Sequence, residues 1–173
     1  MRVFYTIHTS REWRVDNKQL SANIEHYWQH TKDCMKASVK SDYACRAVEA
    51  LARHHPNVRP LRIEEIATSE AIPANYLVQI LIELKSKGII QSWRGKAGGY
   101  ALAKSPREVT VGDVLRAVQG DVLEMPLLRE ARCPEEIKRA WRRIKEAAER
   151  AADEVTFEQL CTEAKSRPEM YYI

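Results

Sequence analysis

The sequence has no apolar run long enough to cross a membrane, and its N-terminus lacks the apolar stretch of a signal peptide. Its four cysteines are scattered, and no two of them form a CxxC pair. These absences argue against a membrane protein, a zinc ribbon and a secreted domain held by disulfides. We therefore predict a cytoplasmic protein with reduced thiols and no membrane partner.

Catalytic constellations are also lacking. No Ser/His/Asp order, no pair of acids suited to a cleft and no nucleotide-binding loop can be placed on the sequence. The adjacent His54 and His55 resemble half a metal site, but neighbouring residues on a helix point in different directions. We predict that the protein is not an enzyme and has no metal site.

The sequence does contain enough apolar material for a folded core. Hydrophobic residues make up 45% of the 173 residues and charged residues 30%, which argues against a disordered chain. The net charge of +4 is unevenly distributed, since residues 35–106 carry 11 basic and 6 acidic side chains, whereas residues 107–173 carry 12 and 14. This arrangement suggests a polyanion-binding head joined to an assembly or sensing region.

Three helices in close succession are predicted in the basic segment. Apolar residues recur at helical spacing over 43–52, a short apolar and acidic stretch follows at 63–67, and a third helical pattern runs from Pro73 to Gly88. The interval 68–72 is about the length of the turn in a helix-turn-helix. The pattern therefore indicates that the second and third helices form this motif.

A β-hairpin is predicted directly after the third helix. Residues 89–93 and 100–103 read as strands, and residues 94–99 between them form a basic, glycine-rich tip. In a winged helix-turn-helix the third helix enters the major groove of DNA, and the hairpin, or wing, touches the backbone or the minor groove. We predict a mainly α fold in which residues 35–106 form such a DNA-binding domain.

A long helix is predicted in the C-terminal region, residues 107–173. Its apolar residues are separated by four, three, four, three and four positions, which is the a/d seam of a heptad pattern. Such a stripe needs a partner, and its charged flanks favour a homodimer over packing within one chain. The predicted dimer residues are Ile137, Trp141, Ile144, Ala148, Ala151 and Val155.

The first 34 residues have no sustained period of either kind. We predict at most a short helix over about 17–30 and treat residues 1–34 as an N-terminal extension outside the winged helix. An ordinary N-terminal helix packed on the core is an equally weighted alternative.

Several motifs of the sequence resemble one family, the Rrf family of bacterial winged-helix transcriptional regulators, to which IscR, NsrR and CymR belong. The resemblance covers about residues 35–160 and matches Met35 to the usual family start. It implies a homodimeric, sequence-specific DNA-binding regulator that acts on a palindromic operator, and we expect a repressor. The motifs that carry the resemblance are residues 35–44, 72–79, 94–100 and 110–118.

The resemblance also implies which residues contact DNA, namely several on the third helix and an arginine of the wing. Gln79 can make a bidentate pair with adenine, and Arg94 suits a narrow, electronegative minor groove. Lysines at the start of the first helix and in the wing are expected to neutralise phosphates, so that affinity falls with salt. The expected DNA-binding residues are Lys36, Lys40, Asn75, Tyr76, Val78, Gln79, Arg94 and Lys96.

The sequence departs from the family pattern in several places. Val78 stands where IscR-like members carry a glutamate that sets specificity, and Ile82 is apolar on a face expected to meet DNA or water. Either these side chains contact thymine methyls, or the operator differs from the familiar one.

The segment before the long helix contains Cys133 alone, whereas cluster-binding members carry three close cysteines there. We therefore expect no iron–sulfur cluster and no other cofactor. The alternative is a cluster bound by Cys133 from both subunits, or by Cys133 together with histidine or carboxylate ligands.

Two alternatives to this function stay open. Winged helices also serve as protein-docking modules without direct DNA binding, although the basic excess and Arg94 favour DNA. Cys133 precedes a predicted helix N-terminus, where the helix dipole lowers thiol pKa values, so a thiol-based redox sensor is the second alternative. An unreactive cysteine is the simpler interpretation. The sequence is also compatible with a small-molecule or protein effector that it does not identify.

Overall fold

The computed structural model describes residues 38–56, 59–95 and 97–166. The predicted N-terminal extension with its short helix, and the predicted DNA contacts Lys36 and Lys96, lie outside these ranges. Two short 3-10 helices, Pro106–Glu108 and Pro126–Arg129, connect the larger elements. These elements are α1 (Val39–Arg53), α2 (Ile63–Ser69), α3 (Ala74–Ser86), β1 (Ile90–Trp93), β2 (Gly99–Leu102), α4 (Val111–Gln119), α5 (Glu135–Glu154) and α6 (Phe157–Ser166).

Helix α1 lies at the centre of the core. It begins after Ser38, whose hydroxyl accepts a hydrogen bond from the backbone N–H of Ser41 at 3.1 Å and so caps the first turn. Helices α3, α4 and α6 and strand β2 pack against it. One apolar cluster therefore joins Leu51 of α1 to Leu81 of α3 and Phe157 of α6.

This core draws on both predicted regions, residues 35–106 and residues 107–173. Phe157 is fully buried, and its backbone N–H donates to the Val109 carbonyl at 3.0 Å. A bridge between Thr110 and Thr156 continues this contact. The two predicted regions thus share one core. The boundary at residue 106, between a DNA-binding and a dimerisation region, stays a prediction about function.

A tight turn of four residues, 70–73, joins α2 to α3. Ala71 has a φ of 50°, in the left-handed region that residues with a side chain rarely adopt. The carboxylate of buried Glu70 pairs with Arg53, and its backbone carbonyl accepts a hydrogen bond from Arg46. Two arginines of α1 thus hold the turn in place. Pro73, predicted as the first helical residue, precedes α3 instead because its ψ of 125° is extended.

The predicted wing is confirmed with small shifts at its ends. Strands β1 and β2 are antiparallel, with Ile90 opposite Leu102 and Trp93 opposite Gly99. Leu61, which precedes α2, exchanges backbone hydrogen bonds of 2.9 and 2.7 Å with Tyr100 and so attaches the hairpin to the helices. A Cβ at Gly99 would lie 2.5 Å from the Leu61 carbonyl oxygen, so this attachment requires glycine.

The mainly α fold with a winged helix-turn-helix and a long following helix matches the sequence prediction. Within the three described ranges, no helix is both long enough and apolar enough to span a lipid bilayer.

Candidate nucleic-acid interface

Helix α3 has two opposite faces. Its inner face, Leu77, Ile80, Leu81 and Leu84, is fully buried and joins the helix to the core. The opposite side carries residues at positions i, i+3, i+4 and i+7, all exposed, which we call the outer face of α3. It consists of Asn75, Val78, Gln79 and Ile82.

Three of the predicted major-groove residues therefore lie together on this outer face, and Tyr76 lies beside it. The Tyr76 ring meets the Tyr43 ring of α1 edge-on, with 5.8 Å between ring centroids and an angle of 82° between their planes. The Arg46 guanidinium lies 5.8 Å from the Tyr43 ring centroid. Tyr76 thus packs α3 against α1 while part of its side chain stays exposed.

The predicted phosphate contact Lys40 makes an ion pair within the fold. Its Nζ lies 2.7 Å from Oε2 of Glu83, and both side chains are about one-third exposed. The pair joins the start of α1 to α3, so Lys40 helps to position α3. Its role as a phosphate contact stays a prediction. Sequence reasoning missed this contact because the two residues are far apart in the chain and share no local pattern.

Arg94 lies at the tip of the wing and is exposed. The neighbouring Trp93 is exposed as well, and both line an open groove of about 580 Å³ between the wing and the start of α2. Trp93 was not among the predicted DNA contacts. Side chains of a strand alternate between its two sides, and Gln91 and Trp93 of β1 are exposed on the same side. This pattern could have indicated that Trp93 is exposed.

The basic residues of the winged helix divide into those that form an ion pair and those that do not. Among them, Lys40, Arg46, Arg53 and Arg59 form ion pairs with acidic residues of the same region. Those of the described residues that have no ion pair lie at the end of α3, in the wing and just after it. They are Lys85, Lys87, Arg94 and Lys104.

The pair between Arg59 and Glu65 fixes the start of α2. Its side-chain hydrogen bonds measure 2.9 and 2.6 Å, and the Glu65 carboxylate also accepts the backbone N–H of Arg62 at 2.7 Å. Chiefly through the hydrogen bond from Arg59, the pKa of Glu65 falls to about 2. Glu65 therefore stays ionised at neutral pH and holds the start of α2 against the preceding Arg59.

The predicted dimer seam lies on α5, none of whose residues is buried within the single chain. Ile137 and Ile144 are each 48% exposed, Trp141 and Ala148 are half-buried, and Ala151 is exposed. Val155 lies one residue beyond the end of the helix. The structure thus covers the stripe only partly within this chain and leaves its two isoleucines half exposed.

Two ion pairs hold α5 against α4 and the segment that follows it. Arg116 of α4 contacts Asp153 near the end of α5, and Lys145 contacts Asp121 with 2.8 Å between Nζ and Oδ2. The side-chain amide of Gln119 donates to the carbonyls of Asp121 and Val122, which orders the start of the segment. With these contacts in place, Ile137 and Ile144 of the seam stay half exposed.

Three cysteines lie in the described ranges, whereas Cys34 lies outside them. Burial raises the pKa of Cys45 to about 11 and also raises that of Cys161, so both thiols stay protonated at neutral pH. Cys133 is half-buried just before α5, and its Sγ lies 3.8 Å from the Pro134 carbonyl oxygen. No three His, Cys, Asp or Glu side chains in the described parts of the chain are grouped to hold a metal ion. These residues do not fit a cluster that needs several thiolates within reach of one another.

Comparison with known proteins gives the same fold and a family. The family model "Rrf2: Iron-dependent Transcriptional regulator" matches residues 37–163. The HTH-type transcriptional regulator CymR of Bacillus subtilis (strain 168) is 32% identical over 142 residues, which cover 80% of this chain and all of that protein. NsrR of Bacillus licheniformis, another HTH-type transcriptional regulator, is 33% identical over 87 residues, or 50% of this chain and 60% of that protein.

Solved structures agree with these relatives. The structure of CymR, the global cysteine regulator of B. subtilis, superposes with a TM-score of 0.65 at 28% identity and covers 75% of this chain and 98% of its own. The structure of T. potens IscR gives a TM-score of 0.65 at 30% identity, with 80% and 97% covered. The chain therefore belongs to the Rrf2 family of transcriptional regulators.

Proposed function

We propose that this regulator binds a palindromic DNA operator as a homodimer and represses transcription in the cytoplasm, without catalysing a reaction. The observation that carries the proposal is the outer face of α3. All four of its residues are exposed, it stands opposite a fully buried face, and it belongs to the second helix of a helix-turn-helix. A helix fixed in this way can enter a major groove as a rigid element.

The chemistry of the interface supports DNA as the partner. Asn75 and Gln79 offer amide groups that can pair with adenine, and Arg94 at the wing tip suits the minor groove. Lys85 near the end of α3 and Arg94 at the wing tip are exposed and have no ion pair among the described residues, so both can contact phosphates. We also propose that Lys36, Lys40 and Lys96 contact phosphates, because lysine side chains neutralise phosphate charge. Of these, Lys36 and Lys96 lie outside the residues that the structure describes.

The exposed seam of α5 supports the homodimer. Two half-exposed isoleucines one heptad apart are an apolar surface that a second α5 would cover. Dimeric helix-turn-helix proteins bind half-sites one helical turn, about 34–36 Å, apart, and we propose the same arrangement for the two α3 helices. A palindromic operator follows from that symmetry.

We also propose that the protein works without an iron–sulfur cluster, although its family model is described as iron-dependent. Cys133 is the one cysteine between α4 and α5. Gln119 and Lys145 hold the beginning of that segment through hydrogen bonds and an ion pair. Anaerobically purified protein should contain no stoichiometric iron and show no thiolate-to-iron absorption. Bound iron that Cys133→Ala removes would contradict this proposal.

The central experiment is selection of DNA fragments by the purified full chain, followed by affinity measurement over a salt series. We expect retained fragments to share an inverted repeat, and affinity to fall steeply as salt rises because phosphates are neutralised. Gln79→Ala should bind the repeat more weakly, whereas Gln159→Ala, on helix α6, should not. Absence of DNA binding, with salt-insensitive capture of a protein instead, would contradict the proposal and favour a docking module.

A further inference from the structure

The outer face of α3 contains apolar side chains that hydrogen-bonding to DNA does not explain. Val78 and Ile82 are 39% and 56% exposed, and they are one helical turn apart beside the amides of Asn75 and Gln79. Both are β-branched and therefore stiff, so they present a fixed shape. Neither side chain belongs to the apolar core cluster, which α3 joins through the four buried leucine and isoleucine residues of its inner face.

We propose that Val78 and Ile82 read thymine methyl groups in the operator, an inference that rests on the proposed function above. The C5-methyl of thymine is the apolar group that the major groove presents at an A·T pair, and cytosine offers an amino donor without a methyl. Valine and isoleucine end in methyl groups that can cover this group but cannot satisfy an amino donor. They therefore favour thymine over cytosine at the bases they meet.

The spacing of the two residues fits this role. Residues i and i+4 are separated by about 6 Å along a helix axis, and two base-pair steps span about 6.8 Å of B-DNA. Amides and apolar groups alternate along the outer face, from Asn75 through Val78 and Gln79 to Ile82. An A·T pair offers adenine to an amide on one strand and a methyl to an apolar side chain on the other. Each half-site should therefore contain adjoining A·T pairs.

The same face could instead dock a protein, but two features of the fold favour DNA. The apolar residues are interleaved with amides on one helix face, so a protein covering them would also bury Asn75 and Gln79. The basic residues Lys85 and Arg94, which have no ion pair among the described residues, lie on the same helix and on the wing that follows it. A cationic border of this kind matches a phosphate backbone.

Replacement of thymine by deoxyuridine tests the proposal, because uracil keeps the base pair and lacks the methyl. In an operator selected by the purified chain, each thymine is replaced singly and the affinity measured. We expect about a fourfold loss at one or two thymines of each half-site, the effect of one buried methyl. Thymines outside the half-sites should tolerate the change.

Variants separate protein contact from effects on the DNA alone. Val78→Ala and Ile82→Ala should each bind the thymine operator about fourfold more weakly and lose sensitivity to uracil at one position. Gln79→Ala, on the same outer face, is the matched control and should keep uracil sensitivity while binding more weakly. All three positions are exposed, so circular dichroism should show an unchanged fold.

Two results would overturn the inference while leaving DNA binding intact. One is a wild-type protein that binds uracil and thymine operators equally well. The other is uracil sensitivity that persists unchanged in both Val78→Ala and Ile82→Ala, since it would then arise from DNA stacking. A chain that selects no DNA at all would refute the proposed function and this inference together.

Discussion

Helices α3 and α5 both expose apolar side chains, but they differ in how deeply the rest of each helix is buried in the single chain. Helix α3 has an inner face of four fully buried residues, whereas α5 has no buried residue in the single chain. The shape and position of α3 are therefore set by its own chain, and its outer face is ready to meet a partner. Helix α5 leaves Ile137 and Ile144 of its seam half exposed. The comparison separates a helix with a fully buried face from one with no buried residue.

The largest effect should come from removing a residue of the inner face of α3. We predict that Leu81→Ala lowers the free energy of unfolding by about 2–5 kcal/mol, because it leaves a cavity in the core. Ile82→Ala, at the next position but on the outer face, should change it by less than about 0.5 kcal/mol. Urea unfolding of both variants tests this contrast, and equal losses would mean that the two faces are not distinct.

A second prediction concerns the seam of α5. Ile144→Ser should raise the dissociation constant of the dimer roughly 30-fold, because Ile144 is half exposed in the single chain and about 1 kcal/mol of apolar burial is lost on each subunit. The matched control is Glu146→Ser, which places the same residue on the opposite side of α5. Sedimentation should then report a 20.0 kDa monomer for Ile144→Ser at concentrations where the control is dimeric. A wild type that is monomeric at every concentration would refute the dimer.

The sequence predicts features that depend on local patterns and misses those that depend on tertiary contacts. Helix α3, the wing and α5 were predicted correctly because their periodicity and end signals are local. The DNA-contact residues stay predictions, although the structure places Asn75, Val78 and Gln79 on one exposed face. What local patterns could not give are contacts between distant residues, such as Lys40 with Glu83 and Leu61 with Tyr100.

The left-handed turn before α3 was equally hidden. Alanine at position 71 carries no signal for positive φ, since glycine or asparagine is the usual residue there. The role of α1 in fixing this turn through Arg46 and Arg53 depends on tertiary packing and not on sequence spacing. The predicted redox role of Cys133 and the effector also stay predictions.

A third prediction tests how firmly the turn positions α3. Ala71→Gly should raise the free energy of unfolding by about 0.5–1 kcal/mol, because glycine adopts a φ of 50° without the steric cost that alanine bears. Thermal unfolding at neutral pH measures the change. The neighbouring Ala74→Gly, at the first residue of α3, is the control and should destabilise instead. If both substitutions destabilise equally, the turn does not carry this strain.

The smallest effect should appear at α2, which precedes the turn and carries the Arg59–Glu65 pair. Since the pKa of Glu65 is lowered to about 2 in the folded chain from an ordinary value of 4.5, its ionised form favours folding. This contribution is fully present above about pH 4.5 and is lost as pH falls through about 2. Glu65→Gln should therefore lower the melting temperature slightly at pH 6, and the difference from wild type should shrink toward pH 2. Glu64→Gln, at the adjacent exposed position, should show no such convergence. A difference between wild type and Glu65→Gln that is constant over this range would show that the ion pair does not stabilise the start of α2.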